Sequence, residues 1–140
     1  MDQLKQLAPT NSNFNEINSN EISLRAAVLT YNIEKLSAGN TITSINSFKL
    51  PAGSKPTLTL VQYPYSGGNG TVKAFYTLVN VDTGNEISDS VIVNKNYTHT
   101  NYSYTFSNVP AGTYKVRIYN YEADVFGGSV DMMGNGYITL

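Results

Sequence analysis

Few residues of this 140-residue chain have side chains suited to catalysis. His99 is the only histidine, so a histidine metal cluster is excluded. A Ser–His–carboxylate triad would have to use His99, but no Gly-x-Ser-x-Gly turn presents a serine nucleophile. Cysteine is absent, which excludes disulfides, thiolate catalysis and cysteine-bound zinc. We therefore expect a protein that is not an enzyme, with His99 on a polar surface loop.

Three carboxylates near the C-terminus are the candidate metal ligands. Glu122, Asp124 and Asp131 flank the glycine pair Gly127-Gly128. Together with backbone carbonyls they could hold Ca²⁺, which takes about six to eight oxygen ligands. Their spacing matches no EF-hand loop, and solvated loop acids are the alternative interpretation. Ca²⁺ is the one cofactor that the sequence leaves open.

The composition narrows the classes of partner. Nine Lys and Arg are scattered through a chain of net charge −1, so no basic patch for nucleic acid or an anionic membrane surface is visible. No apolar run reaches the roughly 18 residues of a membrane span. Charged residues make up only 14%, and solubility must depend on Asn, Ser, Thr and eleven Tyr. This composition favours a secreted or cell-surface protein. Since no signal peptide begins at Met1, we expect that its leader has been removed; a cytoplasmic location is the alternative.

A strictly alternating segment near the C-terminus gives the fold. Tyr114, Val116 and Ile118 point to one side of a strand, and the residues between them point to the other. The preceding Gly112-x-Tyr114 matches the tyrosine corner of immunoglobulin-like sandwiches. Turn residues separate further runs of this kind, which predicts an all-β, antiparallel, immunoglobulin-like β-sandwich of about seven to eight strands. The predicted strands A to G are 41–49, 57–63, 71–81, 86–94, 101–108, 113–121 and 129–140.

The N-terminal part is polar and less regular. Residues 1–20 are Asn-rich without a period, and we expect a flexible leader before a single domain at 21–140. Residues 21–36 fit both helical and strand spacing; a strand is favoured because everything after them is β. Within strand E, Tyr102, Tyr104 and Phe106 share one face. Packing is their expected role, and an exposed ladder that stacks sugars is the alternative.

The Pro110-Ala111-Gly112-Thr113-Tyr114 turn and the strand after it resemble the penultimate strand of exported immunoglobulin-like or fibronectin-III-like modules of Gram-positive bacteria. The resemblance implies an exported, non-catalytic module. It covers framework positions only and therefore assigns no functional residue. The absence of Cys and Trp excludes an antibody-type domain.

In such a sandwich the B–C, D–E and F–G loops meet at one end. Here those loops are 63–70, 95–100 and 122–128, and the opposite end carries both Pro-Ala-Gly turns and the Asp82–Asn85 hairpin. We therefore predict a glycan- or protein-binding site at the tyrosine-bearing loop end. A structural, self-associating extracellular protein without a small-molecule ligand is the alternative, so we expect a monomer or weak self-association. The candidate ligand-binding residues are Tyr63, Tyr65, Tyr97, His99 and Tyr121.

Overall fold

The computed structural model describes residues 26–121 and 129–140, together with the backbone of a short strand at Leu4–Lys5. The expected leader therefore lies outside the described residues apart from that strand. In the described part the only helical element is a 3₁₀ turn at Tyr65–Gly67. The strands are β1 (Leu4–Lys5), β2 (Leu29–Leu36), β3 (Thr41–Thr43), β4 (Phe48–Leu50), β5 (Thr57–Pro64), β6 (Lys73–Asn80), β7 (Val91–Asn94), β8 (Tyr97–Thr105), β9 (Gly112–Asn120) and β10 (Met132–Thr139).

These strands form two antiparallel sheets. Sheet A has the order β1-β2-β10-β5-β8, and sheet B has the order β3-β9-β6-β7, with β4 also pairing with β9. The predicted antiparallel β-sandwich is confirmed. If β3 and β4 are counted as two pieces of one edge strand, the described residues form nine strands. The structure thus has one strand more than the seven to eight predicted. The additional strand is β1, which lies in the segment predicted to be a flexible leader and pairs with β2.

The strand pairing differs from that of immunoglobulin domains at three strands, one of which is β7 of the predicted strand D, which pairs with β6 instead of strand E. The central pairs B–E and C–F are present as β5–β8 and β6–β9. In immunoglobulin domains, however, strand A lies beside B and strand G beside F. Here the last strand, β10, pairs with β5, and the pieces β3 and β4 pair with β9. The first and last predicted strands have thus changed sheets, and β10 is inserted between β2 and β5.

The predicted tyrosine corner is present. Tyr114 is buried, and its hydroxyl donates a hydrogen bond of 2.7 Å to the carbonyl oxygen of Pro110, four residues earlier. The ring also contacts Phe48, with 6.2 Å between the centroids. The predicted alternation of β9 is confirmed as well, because Val116 and Ile118 are fully buried. These contacts attach the turn before β9 to the core.

Three of the predicted strands, A, D and E, have different boundaries in the structure. Strand A is interrupted at Ser44, whose Oγ accepts the N–H of Val116 at 3.0 Å. In strand D only β7 pairs as a strand, and an isolated bridge joins Glu86 to Val79. Within residues 21–36 the described part forms a strand, as favoured, over Leu29–Leu36. Strand E begins earlier than predicted, at Tyr97, because a turn of only two residues connects β7 to β8.

A buried polar group lies in the apolar core between the sheets. The Tyr76 hydroxyl donates to Gln62 Oε1 at 2.7 Å, and Gln62 Nε2 donates to the carbonyls of Val93 and Lys95, each at 2.9 Å. Tyr76 and Gln62 are fully buried. Since β5 belongs to sheet A and β7 to sheet B, the Gln62 amide joins the two sheets. It satisfies backbone groups that would otherwise be buried without a partner.

Tyr31 lies beside this group without joining it. Burial raises the pKa of the Tyr31 hydroxyl well above its ordinary value of 10.0, and the nearby Tyr76 hydroxyl raises it further. Burial also raises the pKa of Tyr76. Among the described residues, the Tyr31 hydroxyl has no partner in hydrogen-bond geometry. Gly136 of β10 leaves room for the Tyr31 hydroxyl, since a Cβ at this position would lie 2.5 Å from the hydroxyl oxygen. The glycine-containing segment of β10 continues as a strand, and its register against β2 shifts between Met132 and Gly134, which marks a β-bulge.

The two ends of the sandwich differ as predicted. Strand register places the Pro51 turn beside the start of β9, because Leu50 lies opposite Gly112. The turn after β6 lies at the same end, and Gly84 supplies its positive φ of 76°. The end where β5 stops and β10 begins is called the loop end below, since Pro64 lies opposite Met132 there. In the described part of the chain, no helix is long and apolar enough to cross a lipid bilayer.

Candidate functional site

The loop end is assembled by side-chain amides. Asn96, between β7 and β8, accepts the N–H of Val72 at 2.8 Å and donates to the Gly70 carbonyl at 2.9 Å. Asn120, at the end of β9, donates to the carbonyls of Leu36 and Val130, each at 2.8 Å. The predicted convergence of the B–C and D–E connections at one end is therefore present. The F–G loop, 122–128, lies outside the described residues.

The four predicted tyrosines do not form one cluster at this end. Tyr63 lies on the outward side of β5, opposite Met133, and Tyr121 follows β9 in sheet B. Tyr65 is 41% exposed, and the Lys35 ammonium lies 5.1 Å from its ring centroid. Tyr97 is half-buried against the core, with its ring 5.3 Å from another strand β8 tyrosine, Tyr102. None of these four rings contacts another of the four.

His99 is not on a loop, which corrects the prediction. It lies within β8, in a bulge where Tyr97 stands opposite Gln62 and Tyr102 opposite Leu60. From Tyr97 to Tyr102 the chain of β8 advances five residues while β5 advances only two. The residues of β8 between them therefore have no directly opposite partner in β5. His99 is exposed there. A role in ligand binding remains a prediction for this residue.

The aromatic residues of β8 pack rather than form an exposed ladder. Phe106 is buried, and Tyr104 and Tyr102 are half-buried against the core. The Tyr104 hydroxyl donates to Asp89 at 2.6 Å, and Asp89 also accepts the backbone N–H of Ser107 at 2.8 Å. This hydrogen bond from Tyr104 is the main reason that the pKa of Asp89 falls below its ordinary 3.8. The same contact raises the pKa of Tyr104 to about 12. Asp89 therefore attaches the segment before β7 to the end of β8, instead of extending strand D.

Of the three candidate Ca²⁺ ligands, only Asp131 lies within the described residues. Its Oδ1 accepts the N–H of Ala38 at 3.1 Å, and its Oδ2 lies 3.9 Å from the Lys35 ammonium. This carboxylate is thus already bound to the turn after β2. Glu122 and Asp124 lie outside the described residues, and the described part of the chain contains no group of three potential metal ligands.

A better-formed surface lies on the outward side of sheet B. Phe75 of β6 stands directly opposite Tyr119 of β9, and Tyr121 follows Tyr119 on the same side. The rings of Tyr119 and Tyr121 are 4.9 Å apart and inclined by 70°. All three side chains are half-buried. We call Phe75, Tyr119 and Tyr121 the aromatic face.

Charged and hydroxyl groups border the aromatic face. Arg117 Nη1 lies 3.1 Å from Glu86 Oε2, and its Nε donates to Thr43 Oγ1 at 3.2 Å. Together with Thr41, the Arg117–Glu86 pair and the aromatic face line an open depression of about 300 Å³. Because two contacts hold the guanidinium in place, its unused N–H groups and the carboxylate of Glu86 have fixed positions toward the depression. Such a surface can stack an apolar ring face and bind hydroxyl groups beside it.

Sequence reasoning identified part of this surface. The alternation of β9 placed Arg117 and Tyr119 outward, and Tyr121 was a candidate ligand-binding residue. Phe75 and Glu86 were missed, because their approach depends on the register between β6 and β9 and on the bridge to Val79. A preference for aromatic residues at outward strand positions is the one signal that could have indicated Phe75.

The fold and this surface define an antiparallel β-sandwich with an aromatic, partly charged depression on one outer sheet. No protein-family model matches the sequence, and no curated protein is significantly similar to it. The resemblance to exported Gram-positive modules therefore remains a prediction from the tyrosine-corner turn and the strand after it.

Proposed function

We propose that this chain is a non-catalytic binding module that takes a saccharide on the aromatic face of sheet B. The observation that carries the proposal is the depression in which Tyr119 and Tyr121 lie beside the fixed Arg117–Glu86 pair. Tyrosine rings offer apolar area together with a hydroxyl that remains hydrated, and they lose little conformational entropy when a ligand binds. Sugars present the matching combination of C–H faces and hydroxyl groups.

The form of the depression favours an extended polymer. Small-molecule pockets bury about 70–90% of their ligand. This depression is open to solvent and lies along β9, where Arg117, Tyr119 and Tyr121 follow one another at alternate positions. A chain of sugars lying along β9 would meet the cation first and then the two rings. Only part of each sugar would be covered, so the proposal implies modest affinity for each unit.

The test compares two tyrosines. Tyr119→Ala should lower affinity for the bound saccharide about tenfold or more, since aromatic anchors dominate binding energy in small interfaces. Tyr65→Ala is the matched control, because Tyr65 is an exposed tyrosine of the loop end that lies outside the depression. Binding would be measured by glycan array and then by isothermal titration calorimetry, with circular dichroism as the check of folding. Loss of binding in Tyr65→Ala alone would place the site at the loop end and reject the aromatic face.

Self-association is a second candidate, supported by one edge strand. In β7, Ile92 is 50% exposed beside Phe75, and no Lys or Pro interrupts the strand. Unprotected apolar edge strands pair readily with further strands. Ile92→Lys should abolish any concentration-dependent association seen by sedimentation velocity. Association that survives this substitution would exclude the β7 edge as its cause.

We also propose that the module acts outside the cell. This rests on the low charge and on the Asn-, Ser-, Thr- and Tyr-rich composition. A fusion of the chain with its native upstream coding sequence should be found in the medium or on the cell surface. Retention in the cytoplasm would overturn the proposed location.

A further inference from the structure

The charges on the outward side of sheet B are unequal. Lys73, Lys115 and Arg117 occupy outward positions of β6 and β9, and Glu86 is the acidic residue that lines the depression. Glu86 is already paired with Arg117 at 3.1 Å. Within the described part of the chain, neither Lys73 nor Lys115 forms an ion pair. Among the described residues around the aromatic face, positive charges therefore outnumber negative ones, although the net charge of the whole chain is −1.

Lys73 is held at the border of the aromatic face. Its ammonium lies 4.8 Å from the centroid of the Tyr121 ring. The Lys73 carbonyl also accepts the N–H of Tyr121 at 3.0 Å, which fixes the two backbones side by side. A cation over a tyrosine ring is attracted by the negative face of the ring. The ammonium is thus positioned beside Tyr121 while its other side remains accessible to an anion.

Arg117 and Lys73 lie at opposite ends of the tyrosine pair. Arg117, Tyr119 and Tyr121 stand at alternate positions of β9, so the first and last are about 13 Å apart at the usual rise of a strand. The charge of Arg117 is neutralised by Glu86, and two of its donors are used. Among the residues that the structure describes, Lys73 has no such ion pair or side-chain hydrogen bond. It is therefore the residue best placed to bind a negative group on a ligand that stacks on Tyr119 and Tyr121.

We infer that the saccharide bound by the aromatic face is acidic, with its anionic group on Lys73 and its ring on the tyrosines. This inference rests on the proposed saccharide-binding function and deepens it. A surface charge pair contributes modestly, so the expected effect of the anionic group is about two- to fivefold in affinity. Because the pair is exposed, the effect should shrink as ionic strength rises.

The experiment uses matched polymers and the full chain. Polygalacturonate is compared with its methyl ester, and dextran sulfate with dextran, by calorimetry at low and high salt. Each pair shares its sugars and differs in charge, and the two pairs separate a carboxylate from a sulfate. Lys73→Gln should remove most of the preference for the charged polymer and leave binding of the neutral one unchanged. Lys55→Gln is the control, because Lys55 is an exposed lysine near the opposite end of the sandwich.

The outcomes separate this inference from the proposed function. Equal binding of charged and neutral polymers overturns the acidic ligand and leaves saccharide binding standing. Binding of polyglutamate as tight as that of polygalacturonate also overturns the inference, since the surface would then bind carboxylate groups whether or not they belong to a sugar. If neither member of either pair binds, the inference fails, and the glycan array decides separately whether saccharide binding fails with it.

Discussion

Two buried tyrosine hydroxyls of the core should respond to removal in opposite ways. Tyr76→Phe deletes the 2.7 Å hydrogen bond to Gln62 Oε1 and leaves that buried amide oxygen without its donor. A buried acceptor that loses its partner costs about 1–3 kcal/mol. Tyr31→Phe instead deletes a hydroxyl that has no partner among the described residues. Removing an unsatisfied buried group should raise the free energy of unfolding by about 1 kcal/mol.

The two variants should therefore differ by about 2–4 kcal/mol in stability. For a domain of this size that corresponds to roughly 6–20 °C in Tm, at about 3–5 °C per kcal/mol. Urea unfolding followed by circular dichroism measures the difference, and an unchanged m-value would confirm that both variants unfold from the same native state. The two substitutions are a matched pair, since each removes one oxygen from a fully buried tyrosine. If Tyr31→Phe is as destabilising as Tyr76→Phe, the two hydroxyls and Gln62 form one hydrogen-bonded chain, and the reasoning is refuted.

Four further predictions follow from the core and the turns. Tyr114→Phe should cost about 1 kcal/mol in urea unfolding, because it deletes the tyrosine-corner hydrogen bond; an unchanged midpoint would contradict this. Gly136→Ala should cost about 1–3 kcal/mol, since its Cβ would lie 2.5 Å from the Tyr31 hydroxyl, and a neutral result would mean that β10 shifts freely. The pKa of the Asp89 carboxyl lies below 3.8 in the folded state, so the stabilisation by its carboxylate is present above that pH and is lost as the pH falls. Asp89→Asn should therefore flatten the acid side of the curve of stability against pH. An unaltered acid side would exclude Asp89 as its source. The raised pKa values of Tyr31 and Tyr76 keep both hydroxyls neutral at a pH where tyrosines of the unfolded chain ionise. Stability should therefore decline above about pH 10, and the decline should be less steep in the Tyr31→Phe, Tyr76→Phe double variant. Equal slopes of stability against pH in the two proteins would refute the attribution of this decline to Tyr31 and Tyr76.

The sequence was sufficient for the fold class and for the two ends of the sandwich. Tyr114 with its preceding glycine predicted the tyrosine corner, and the alternation after it fixed which side chains of β9 are buried. Both features are local, because a turn and a period of two depend on neighbouring residues alone. The Pro-Ala-Gly turns at one end and the loops at the other then followed from strand direction.

The exchange of the first and last strands could not be predicted in this way. Whether β10 pairs with β5 or with β9 depends on which sheet can accept it, and both sheets offer apolar inner faces. In the observed position of β10, Gly136 leaves room for the Tyr31 side chain of the adjacent strand, and Gly134 approaches the backbone of β5 at Val61. A glycine in a strand indicates a close approach, but its partner is identified only by the three-dimensional arrangement.

The candidate site shows the same limit. Tyr121 was named from the sequence, but it was grouped with Tyr65 and Tyr97 through the loops. The structure instead groups it with Tyr119 and Phe75 through cross-strand register, a long-range property. The polar residues Thr98, His99 and Thr100 predict a loop, but in the structure they belong to β8 and are exposed, as the edge position of this strand permits.

The position of β10 has a consequence for how the chain reaches its native state. Sheet A contains two halves, β1-β2 and β5-β8, that make no strand contact until β10 is placed between them. While the chain emerges from the ribosome, residues 132–139 come after all the strands that they join. Sheet B has no such dependence, since β3 to β9 precede β10. We expect sheet B to form first and the whole sandwich to close only after β10 has been synthesised, in a step slowed by contacts distant in sequence.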